Sequence, residues 1–392
     1  MASTTSSFFA MHELRTSAAS RRDFLRTLSL GASATLLAPS LLALPPARKL
    51  GVALLGLGKY STGQLAPALQ QTKLCRLAGI VTGSPEKAAK WKQQYQLPDK
   101  NIYDYKTFDR IIDNPDIDIV YVVTPNALHA EYAVRAAQAG KHVICEKPMA
   151  TTVADARRII AASQKAGKKL SIGYRLHFEP HNQAMMHLGQ TQAYGPLKHL
   201  LSDNGFKFGN DTPWRVSKAL GGGGPLMDMG IYSLQGCLYT KGQVPTAITA
   251  QFDPNTNPQL FKEVEAGIKW QLQFADGTTA DCHTSYAENL AGRLRAEAAN
   301  GWFELQPAFG YGGLAGSTSK NDGKLDLPNI NQQAAQMDDF ADCVLHNKPT
   351  RVPGEMGLRD VQLLLAIYRA AETGQKVATT DVQQLIDRTQ AR

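Results

Sequence analysis

The first half of the chain alternates short apolar runs with helical repeats. Apolar runs predict strands at 49–55, 75–81, 117–123, 142–145 and 170–173. Helical periodicity follows at 63–71, 130–139 and 153–166. Because apolar strands that alternate with helices are typical of parallel sheets, this half is predicted to be an α/β, doubly wound Rossmann sheet with its ligand at the carboxyl ends of the strands.

Beyond Tyr194 the pattern changes to alternating polar and apolar residues. This pattern predicts strands at 247–252, 265–274 and 278–285, followed by helices at 333–345 and 358–373. Asp276-Gly277, between the last two strands, is a strong hairpin signal, and Gly374 marks the end of the last helix. The second half is therefore predicted to be an α+β domain with an open, mostly antiparallel sheet that covers the first.

The length of 392 residues suits two domains behind a leader. We predict a leader and short linker at 1–47, a dinucleotide-binding domain at 48–171, and a domain for substrate binding and oligomerisation at 172–392. The apolar content of 43% and charged content of 19% are those of a soluble globular protein and argue against a disordered or coiled-coil chain.

Charge and cysteine content argue against several classes of protein. The net charge of +8 includes four arginines and two acidic residues in the leader, and no basic run carries interleaved aromatics, so nucleic-acid binding is not expected. The five cysteines are widely spaced without a C-x-x-C pair, which argues against a disulfide scaffold or a zinc site. No metal is predicted.

The leader has the pattern of a twin-arginine export signal. Arg21-Arg22 precede a weakly apolar run at 28–44 that is interrupted by small polar residues. A stable membrane span wants about 20 strongly apolar residues, so cleavage is favoured over the alternative of an uncleaved anchor. We predict a periplasmic protein that is exported folded, with its cofactor already loaded and tightly bound.

A glycine-rich turn follows the first predicted strand. Gly56 permits the turn and Gly58 lets the backbone approach a pyrophosphate, although Ser61 replaces the third glycine of the usual fingerprint. Thr82 stands at the end of the second strand, where NAD-binding proteins carry an acidic residue, and Lys87 follows. NADP is therefore favoured over NAD, and the alternative is a generic turn beside a solvated lysine.

Several motifs together resemble those of one oxidoreductase family. The core motifs are Gly56-Leu57-Gly58, the segment Thr124–His129 and Glu146-Lys147-Pro148. With them the chain resembles the Gfo/Idh/MocA family, which includes glucose-fructose oxidoreductase and inositol dehydrogenase. Further matches favour the subgroup of glucose-fructose and aldose-aldose oxidoreductases, namely Gly58-Lys59-Tyr60, Ile102–Tyr105, Gly173-Tyr174-Arg175, Trp214-Arg215 and Gly222–Tyr232.

The resemblance implies both catalytic and binding residues. Catalysis is implied for Lys147 and Tyr232, with Asp228 beside them; Lys147, Arg175, His177, Asp228 and Tyr232 are the expected sugar-binding residues. The expected cofactor-binding residues are Gly56, Leu57, Gly58, Lys59, Tyr60, Thr82, Lys87, Tyr105, Thr124, Pro125, Asn126, Leu128, His129, Glu146, Lys147, Arg175, Trp214, Arg215 and Tyr286.

These residue types suit the oxidation of a sugar alcohol. The carbon that gives up hydride also needs a base for its hydroxyl proton; Tyr232 can accept this proton, and Lys147 supplies a positive charge that favours tyrosinate. Asp228 lies four residues before Tyr232 and can steady the lysine. The alternatives are a solvated lysine, a packing tyrosine and a structural carboxylate at a helix start. His177 and His181 are also four apart, but Pro180 and the lack of a third ligand favour sugar binding or packing over a metal.

Four functions remain compatible with the motifs. The favoured one is a ping-pong shuttle, in which one aldose is oxidised to its lactone and the retained NADPH reduces a second sugar. The others are a sugar or inositol dehydrogenase with exchangeable NAD(P), an NAD-dependent glycosidase, and a redox-inert sugar sensor. A homodimer or tetramer is expected, although the long N-terminal arm of glucose-fructose oxidoreductase has no counterpart in the short segment before the first strand.

Overall fold

The structure, a computed structural model, describes residues 48–209, 212–320 and 323–380. The predicted leader at 1–47 lies outside these ranges, so its assignment stays a prediction. None of the helices formed by the described residues combines the length and the apolar character needed to cross a membrane.

The first half forms a six-stranded parallel sheet in the order β3-β2-β1-β4-β5-β6. Its strands are β1 (Leu50–Leu55), β2 (Cys75–Val81), β3 (Ile102–Tyr103), β4 (Ile119–Val122), β5 (His142–Cys145) and β6 (Leu170–Ile172). Every residue of β1 and β4 is buried, as expected for strands covered on both faces. The predicted doubly wound sheet is confirmed, and its strand order reverses between β1 and β4, where such sheets bind dinucleotides.

Four helices connect these strands. They are α1 (Ala66–Leu69), α2 (Pro85–Tyr95), α3 (His129–Gln138) and α4 (Val153–Lys165). A π-helical turn, Ser61–Leu65, precedes α1 and joins it to the glycine-rich turn. Ser84 caps α2 and Thr152 caps α4, and each side chain accepts a backbone N–H from the first turn. Both helices therefore begin directly after a short polar N-cap residue.

The second half contains a nine-stranded sheet in the order β14-β13-β12-β11-β7-β10-β9-β8-β15. Its strands are β7 (Leu197–Gly205), β8 (Ala247–Phe252), β9 (Gly267–Gln273), β10 (Thr279–Ser285), β11 (Arg293–Ala298), β12 (Gly301–Leu305), β13 (Gly316–Thr318), β14 (Lys324–Leu325) and β15 (Val377–Ala378). β7 and β10 pair in parallel, whereas the other neighbouring pairs are antiparallel. The predicted mostly antiparallel sheet is confirmed, including the hairpin at Asp276-Gly277.

Five further helices complete the described chain. They are α5 (Pro180–Gln190), α6 (Lys218–Gly221), α7 (Ile231–Lys241), α8 (Gln332–Leu345) and α9 (Gly354–Thr373). α7 and α9 pack against the nine-stranded sheet, and α9 also contacts α4 and β6 of the first half. α8 returns to the six-stranded sheet, where Met337 and Phe340 join its core. Part of the second half therefore packs with the first. The domain boundary predicted near residue 171 stays a prediction.

Candidate active site

A cleft of about 1350 Å³ lies at the carboxyl ends of the parallel strands. It is lined by loops of the first half and by segments 204–206, 212–215, 228–232 and 307–311 of the second. Most of the predicted site residues line it: Gly56, Leu57, Gly58, Lys59, Tyr60, Thr82, Lys87, Tyr105, Thr124, Pro125, Asn126, His129, Glu146, Lys147, Arg175, Trp214, Arg215, Asp228 and Tyr232. We call 56–63, 82–87 and 124–126 the nucleotide loops. The predicted catalytic residues Lys147, Asp228 and Tyr232, together with the neighbouring Arg175 and Arg215, are called the catalytic cluster.

The glycine-rich turn is held open towards the cleft. Gly56 has φ +102°, and a Cβ there would lie 2.5 Å from the carbonyl oxygen of Val123, so only glycine fits. A Cβ on Gly58 would meet nothing within 4 Å, which leaves its backbone accessible from the cleft. Ser61, in place of the third glycine, is buried and donates its hydroxyl to the carbonyl of Gly56 at 2.5 Å. The Ser61 hydroxyl thus stabilises the turn at the position where the usual fingerprint has its third glycine.

The loop after β2 carries hydroxyls and an ammonium group without a carboxylate. The Thr82 hydroxyl accepts the backbone N–H of Ser84 at 3.2 Å, and the Ser84 hydroxyl accepts that of Lys87. The Lys87 ammonium reaches back to the glycine-rich turn and donates to the carbonyl of Leu57 at 3.1 Å. Its positive charge is therefore placed between the two loops where an anionic substituent on the ribose would lie.

The loop after β4 is braced from below by a buried histidine. The two ring nitrogens of His129 lie 2.8 Å from the carbonyl oxygen of Pro148 and 3.0 Å from that of Thr124. Burial lowers the pKa of His129 to about 4, so the ring is neutral near pH 7 and can donate to one carbonyl at a time. His129 therefore joins two loops of the cleft and is not placed to act as an acid. Asn126 adds a second tie by donating to the carbonyl of Gly221 at 2.9 Å.

Lys147 and Asp228 form the charged centre of the catalytic cluster. The Lys147 ammonium donates to the backbone carbonyl of Asp228 at 2.7 Å and lies 3.2 Å from its Oδ1. Both side chains are about nine-tenths buried. Burial alone would lower the pKa of Lys147, but Tyr232, Asp228 and Glu146 outweigh it and raise that pKa above its usual range. The lysine is therefore a fixed cation.

Asp228 is held by three partners at once. Besides Lys147, its Oδ2 accepts the Nε–H of Arg215 at 2.8 Å and the hydroxyl of Tyr286 at 2.8 Å. Burial would raise the pKa of this carboxyl, yet Lys147, Arg215 and the Tyr286 hydrogen bond lower it to about 2. Asp228 is therefore an anion at all working pH values and orients the ammonium of Lys147.

Tyr232 lies beneath two cations. The Lys147 Nζ is 4.6 Å from the centroid of the Tyr232 ring, and the Arg175 Cζ is 5.0 Å from it. The ring also stacks on Phe309 at 6.2 Å between centroids. Negative charge that develops on the phenol is therefore stabilised by two nearby cations.

Glycines at 221–224 allow the segment that carries Asp228 and Tyr232 to approach its supports. A Cβ on Gly223 would lie 2.0 Å from the hydroxyl of Tyr368, a residue of α9. The half-buried carboxylate of Glu265 accepts the backbone N–H groups of Gly224 and Leu226 at 3.0 Å and the Tyr368 hydroxyl at 2.7 Å. A π-helical turn, Leu226–Gly230, then leads into α7. The Glu265 carboxylate, just before β9, therefore fixes the backbone that leads into this turn, and the Tyr368 hydroxyl of α9 holds that carboxylate.

Arg175 secures a loop of the second half that sequence analysis missed. Its guanidinium donates to the carbonyls of Phe309 at 2.6 Å and Gly310 at 3.0 Å, and also to Gln332. The next residue, Tyr311, lies over Arg175, 4.5 Å from Cζ to ring centroid, and stacks on Tyr60 of the glycine-rich turn at 5.7 Å. We call 307–314 the strap. An aromatic residue flanked by Gly310, Gly312 and Gly313 was the signal that could have revealed it.

Three predicted site residues do not line the cleft. Leu128 packs against the hydrophobic core. His177 is buried between Tyr174 and Tyr239 and hydrogen-bonds Gln235 at 2.8 Å, so its placement does not support direct sugar binding. Tyr286 is buried and donates its hydroxyl to Asp228, so in this structure it supports the carboxylate. His181 pairs with Glu179 at 2.7 Å, apart from His177.

The cleft residues fit a nicotinamide dinucleotide. The buried Thr124 hydroxyl and the Arg175 Nε have no hydrogen-bond partner within the described chain, although both residues line the cleft. Buried polar groups of this kind are normally satisfied, and a polar ligand in the cleft would satisfy both. The accessible backbone at Gly58 and the cation of Lys87 provide what phosphates require.

Comparison with known proteins agrees with this architecture. Residues 50–174 match the model of the oxidoreductase family with an NAD-binding Rossmann fold, and residues 182–304 match the GFO/IDH/MocA C-terminal domain. The crystal structure of aldose-aldose oxidoreductase from Caulobacter crescentus, complexed with glycerol, superimposes with a TM-score of 0.81 and 45% sequence identity. That match covers 85% of this chain and all of the other.

More distant relatives also act on sugars. The NADP(+)-dependent D-xylose 1-dehydrogenase of Haloarcula marismortui is 28% identical over 335 residues, which is 82% of this chain and 91% of that enzyme. The 1,5-anhydro-D-fructose reductase of Ensifer adhaerens is 26% identical over 284 residues, 68% of this chain and 81% of that enzyme. The chain, with its NAD(P)-binding Rossmann sheet and second open sheet, belongs to the Gfo/Idh/MocA family of oxidoreductases, close to enzymes that act on sugars.

Proposed function

We propose that this chain is an NADP-dependent sugar oxidoreductase that retains its cofactor, oxidises an aldose at C1 to the lactone, and then reduces a second sugar. The observation that carries the proposal is the convergence of Lys147, Asp228 and Tyr232 in the cleft at the strand ends. A bound nicotinamide would supply the hydride acceptor and donor. The neighbouring enzymes named for aldoses and xylose support this class of substrate.

The residues of the catalytic cluster divide the proton chemistry among them. Tyr232 accepts the proton of the C1 hydroxyl as hydride leaves that carbon, and it returns a proton to the second sugar. Lys147 stabilises the negative charge on the phenol from 4.6 Å above the ring. Asp228, ionised and tied to Arg215 and Tyr286, keeps the lysine in place.

Two features support NADP and its retention. Thr82, Ser84 and Lys87 offer hydroxyls and a cation where an NAD enzyme would place a carboxylate. Arg175 fastens the strap, and Tyr311 then extends from the second half onto Tyr60 beside the glycine-rich turn. Opening of the strap requires the loss of several buried hydrogen bonds, which slows cofactor release.

Location and assembly are part of the proposal. The twin-arginine motif at Arg21-Arg22 supports export of a folded, cofactor-loaded protein to the periplasm. Outside the cytoplasm no nicotinamide pool replenishes the enzyme, so a shuttle that never releases its cofactor is the chemistry that suits this location. Exposed polar residues such as Lys269, Asp281 and Glu297 on the open face of the nine-stranded sheet are compatible with pairing to a second copy.

The decisive experiment is to release and identify the small molecule that copurifies with the protein. Mass spectrometry of the denatured sample is expected to show NADP or NADPH in near-stoichiometric amount. Addition of an aldose to the native protein should then produce the absorbance of reduced nicotinamide, and a second sugar should bleach it. Protein that contains no nicotinamide, or whose nicotinamide no sugar reduces, would contradict the proposal.

A dehydrogenase that exchanges its cofactor is the second candidate. The same cluster would serve it, and the relative named D-xylose 1-dehydrogenase [NADP(+)] favours it. Extensive dialysis separates the two, since a shuttle keeps its activity without added cofactor and an exchanging dehydrogenase loses it.

A further inference from the structure

The cleft contains a second buried carboxylate that the proton chemistry does not use. Glu146 follows β5, is 7% exposed, and lines the cleft next to Lys147. Its two donors are neutral: the Tyr121 hydroxyl at 2.6 Å from Oε1 and the backbone N–H of Lys147 at 3.2 Å from Oε2. Asp228, in contrast, is bound by two cations. Glu146 is therefore held in the cleft by neutral donors, and when it is ionised no directly bonded cation offsets its charge.

Three elements fix the direction of this carboxylate. Tyr121 comes from the middle of β4, and its hydroxyl accepts the amide N–H of Gln336, a residue of α8, at 2.8 Å. On the other side a Cβ at Gly173 would lie 2.5 Å from Glu146 Oε1, so the backbone after β6 packs directly on the carboxyl. Because the hydroxyl of Tyr121, on a buried strand, donates to the Glu146 carboxyl, the position of that carboxyl in the cleft is fixed.

The charges around Glu146 determine what it can do. Lys147, Asp228 and Arg215 belong to one ion-pair group, whereas Arg175 is paired to carbonyl oxygens and an amide. Lys147 and Arg175 act on the Glu146 carboxyl through space and oppose the effect of burial on its pKa, which favours the ionised form. An oxidised nicotinamide ring is a cation and the reduced ring is neutral, so a fixed anion nearby favours the oxidised form.

We propose that Glu146, oriented by Tyr121 and Gln336, lowers the reduction potential of the bound nicotinamide by stabilising its oxidised state. This inference rests on the proposed function and adds to it: Glu146 sets how readily the retained cofactor passes hydride to the second sugar. Tyr121 and Gln336 are positioning residues, because they act through the carboxylate.

The test is a redox titration of the holoenzyme, in which the fraction of reduced cofactor is followed by absorbance against a mediator of known potential. Glu146→Gln keeps the shape and removes the charge, so the ratio of oxidised to reduced cofactor at a given potential is expected to fall about tenfold, equivalent to about 30 mV for a two-electron couple. Glu131→Gln, an exposed carboxylate on α3, is the matched control and should titrate like the wild type.

A second variant covers the case in which Glu146→Gln does not fold. Tyr121→Phe keeps the carboxyl but removes its donor, and it should shift the midpoint in the same direction by a smaller factor. Unchanged midpoints in the variants that fold overturn the inference while leaving the proposed function intact. Absence of a reducible nicotinamide in the wild type contradicts the proposed function itself.

The pH dependence gives an independent check. Burial raises the pKa of Glu146, with Tyr121, Lys147 and Arg175 acting in the opposite direction. The groups that face it are Tyr60, Tyr121, Cys145, Lys147, Arg175 and Tyr311. As the pH falls and the carboxyl takes up a proton, the difference between wild type and Glu146→Gln should vanish. A difference that stays constant down to the acid limit of stability would show that charge is not its cause.

Discussion

The nucleotide loops and the catalytic cluster line the same cleft, but they are built from different materials. The nucleotide loops present backbone groups and small side chains at strand ends, as at Gly56, Gly58 and Thr82. The catalytic cluster is made of largely buried charges brought together from the loop after β5, the segment before α6 and the π-helical turn before α7. Lys147, Arg215 and Asp228 are paired with one another in this cluster, whereas the loops present backbone and hydroxyl groups to a ligand.

This difference predicts how each region responds to change. Removing one member of a buried ion-pair group leaves its partner uncompensated, so a single substitution affects both chemistry and stability. A substitution in the nucleotide loops alters the fit to one ligand and leaves the core intact. The following four variants test this contrast, in order of expected effect.

Lys147→Met should have the largest effect on turnover. Without the ammonium above the Tyr232 ring, the phenol loses the charge that supports proton transfer, and the rate should fall by about 10²–10⁴-fold. Single-turnover reduction of the bound cofactor by an aldose measures this rate. Lys92→Met on α2, paired at the surface with Asp99, is the control. Turnover within a few-fold of wild type would show that the lysine does not serve the chemistry.

Asp228→Asn should mainly reduce stability. Lys147 and Arg215 would keep their charges without the carboxylate, and the free energy of unfolding should fall by about 3–5 kcal/mol near pH 7. Because the folded-state pKa of Asp228 is lowered to about 2, its carboxylate stabilises the protein above about pH 4, the usual range of an aspartate, and loses this contribution as the pH falls through 2.

Denaturant unfolding at several pH values measures this contribution. The difference between wild type and Asp228→Asn should therefore narrow between about pH 4 and 2. Asp281→Asn, on the exposed face of β10, should leave stability almost unchanged at every pH. A gap of the same size at both ends of the range would assign the loss to packing and not to charge.

Thr82→Asp should change cofactor preference without changing stability much. A carboxylate at the end of β2 repels a 2′-phosphate and can accept a ribose hydroxyl, so the affinity ratio of NADP to NAD should fall by about tenfold. Competitive binding to cofactor-stripped protein gives this ratio, and Thr107→Asp in the loop after β3 is the control. An unchanged ratio would argue that the loop after β2 does not receive the phosphate.

Tyr311→Ala should have the smallest effect, on cofactor release alone. Loss of the stacked ring removes one contact of the strap while Arg175 still holds Phe309 and Gly310, so the dissociation rate should rise by a few-fold. Release into a large excess of a cofactor-consuming enzyme measures the rate. Tyr311→Phe keeps the ring and should release cofactor at the wild-type rate. Equal dissociation rates in all three proteins would show that the Tyr311 ring does not contribute to cofactor retention.

Much of the fold follows from local patterns in the chain. The bounds of β2, β5 and β8 agree with those predicted at 75–81, 142–145 and 247–252, because continuous apolar or cleanly alternating runs end at polar residues. The parallel pairing of β7 with β10 was not predicted, since it joins strands some eighty residues apart and no local signal encodes it. α9 starts at Gly354, four residues before the prediction, directly after Pro353.

Residues of the candidate site could be predicted from the sequence where they belong to a contiguous motif. Lys147, Asp228 and Tyr232 followed from contiguous motifs, and the structure brings them together. Tyr286 was expected to touch the cofactor, but only the packing of the nine-stranded sheet determines that its hydroxyl points to Asp228. Tyr311 was missed because its position over Tyr60 depends on Arg175, which lies far from it in sequence.

The contact between Tyr368 and Glu265 gives the end of the chain an influence on the chemistry. Through that carboxylate, α9 holds the backbone at Gly224 and Leu226, at the start of the segment that carries Asp228 and Tyr232. Proteolytic cleavage or a premature stop within α9 would therefore abolish activity, although every residue that lines the cleft is still present. Affinity tags and truncations at the carboxyl terminus should spare this helix.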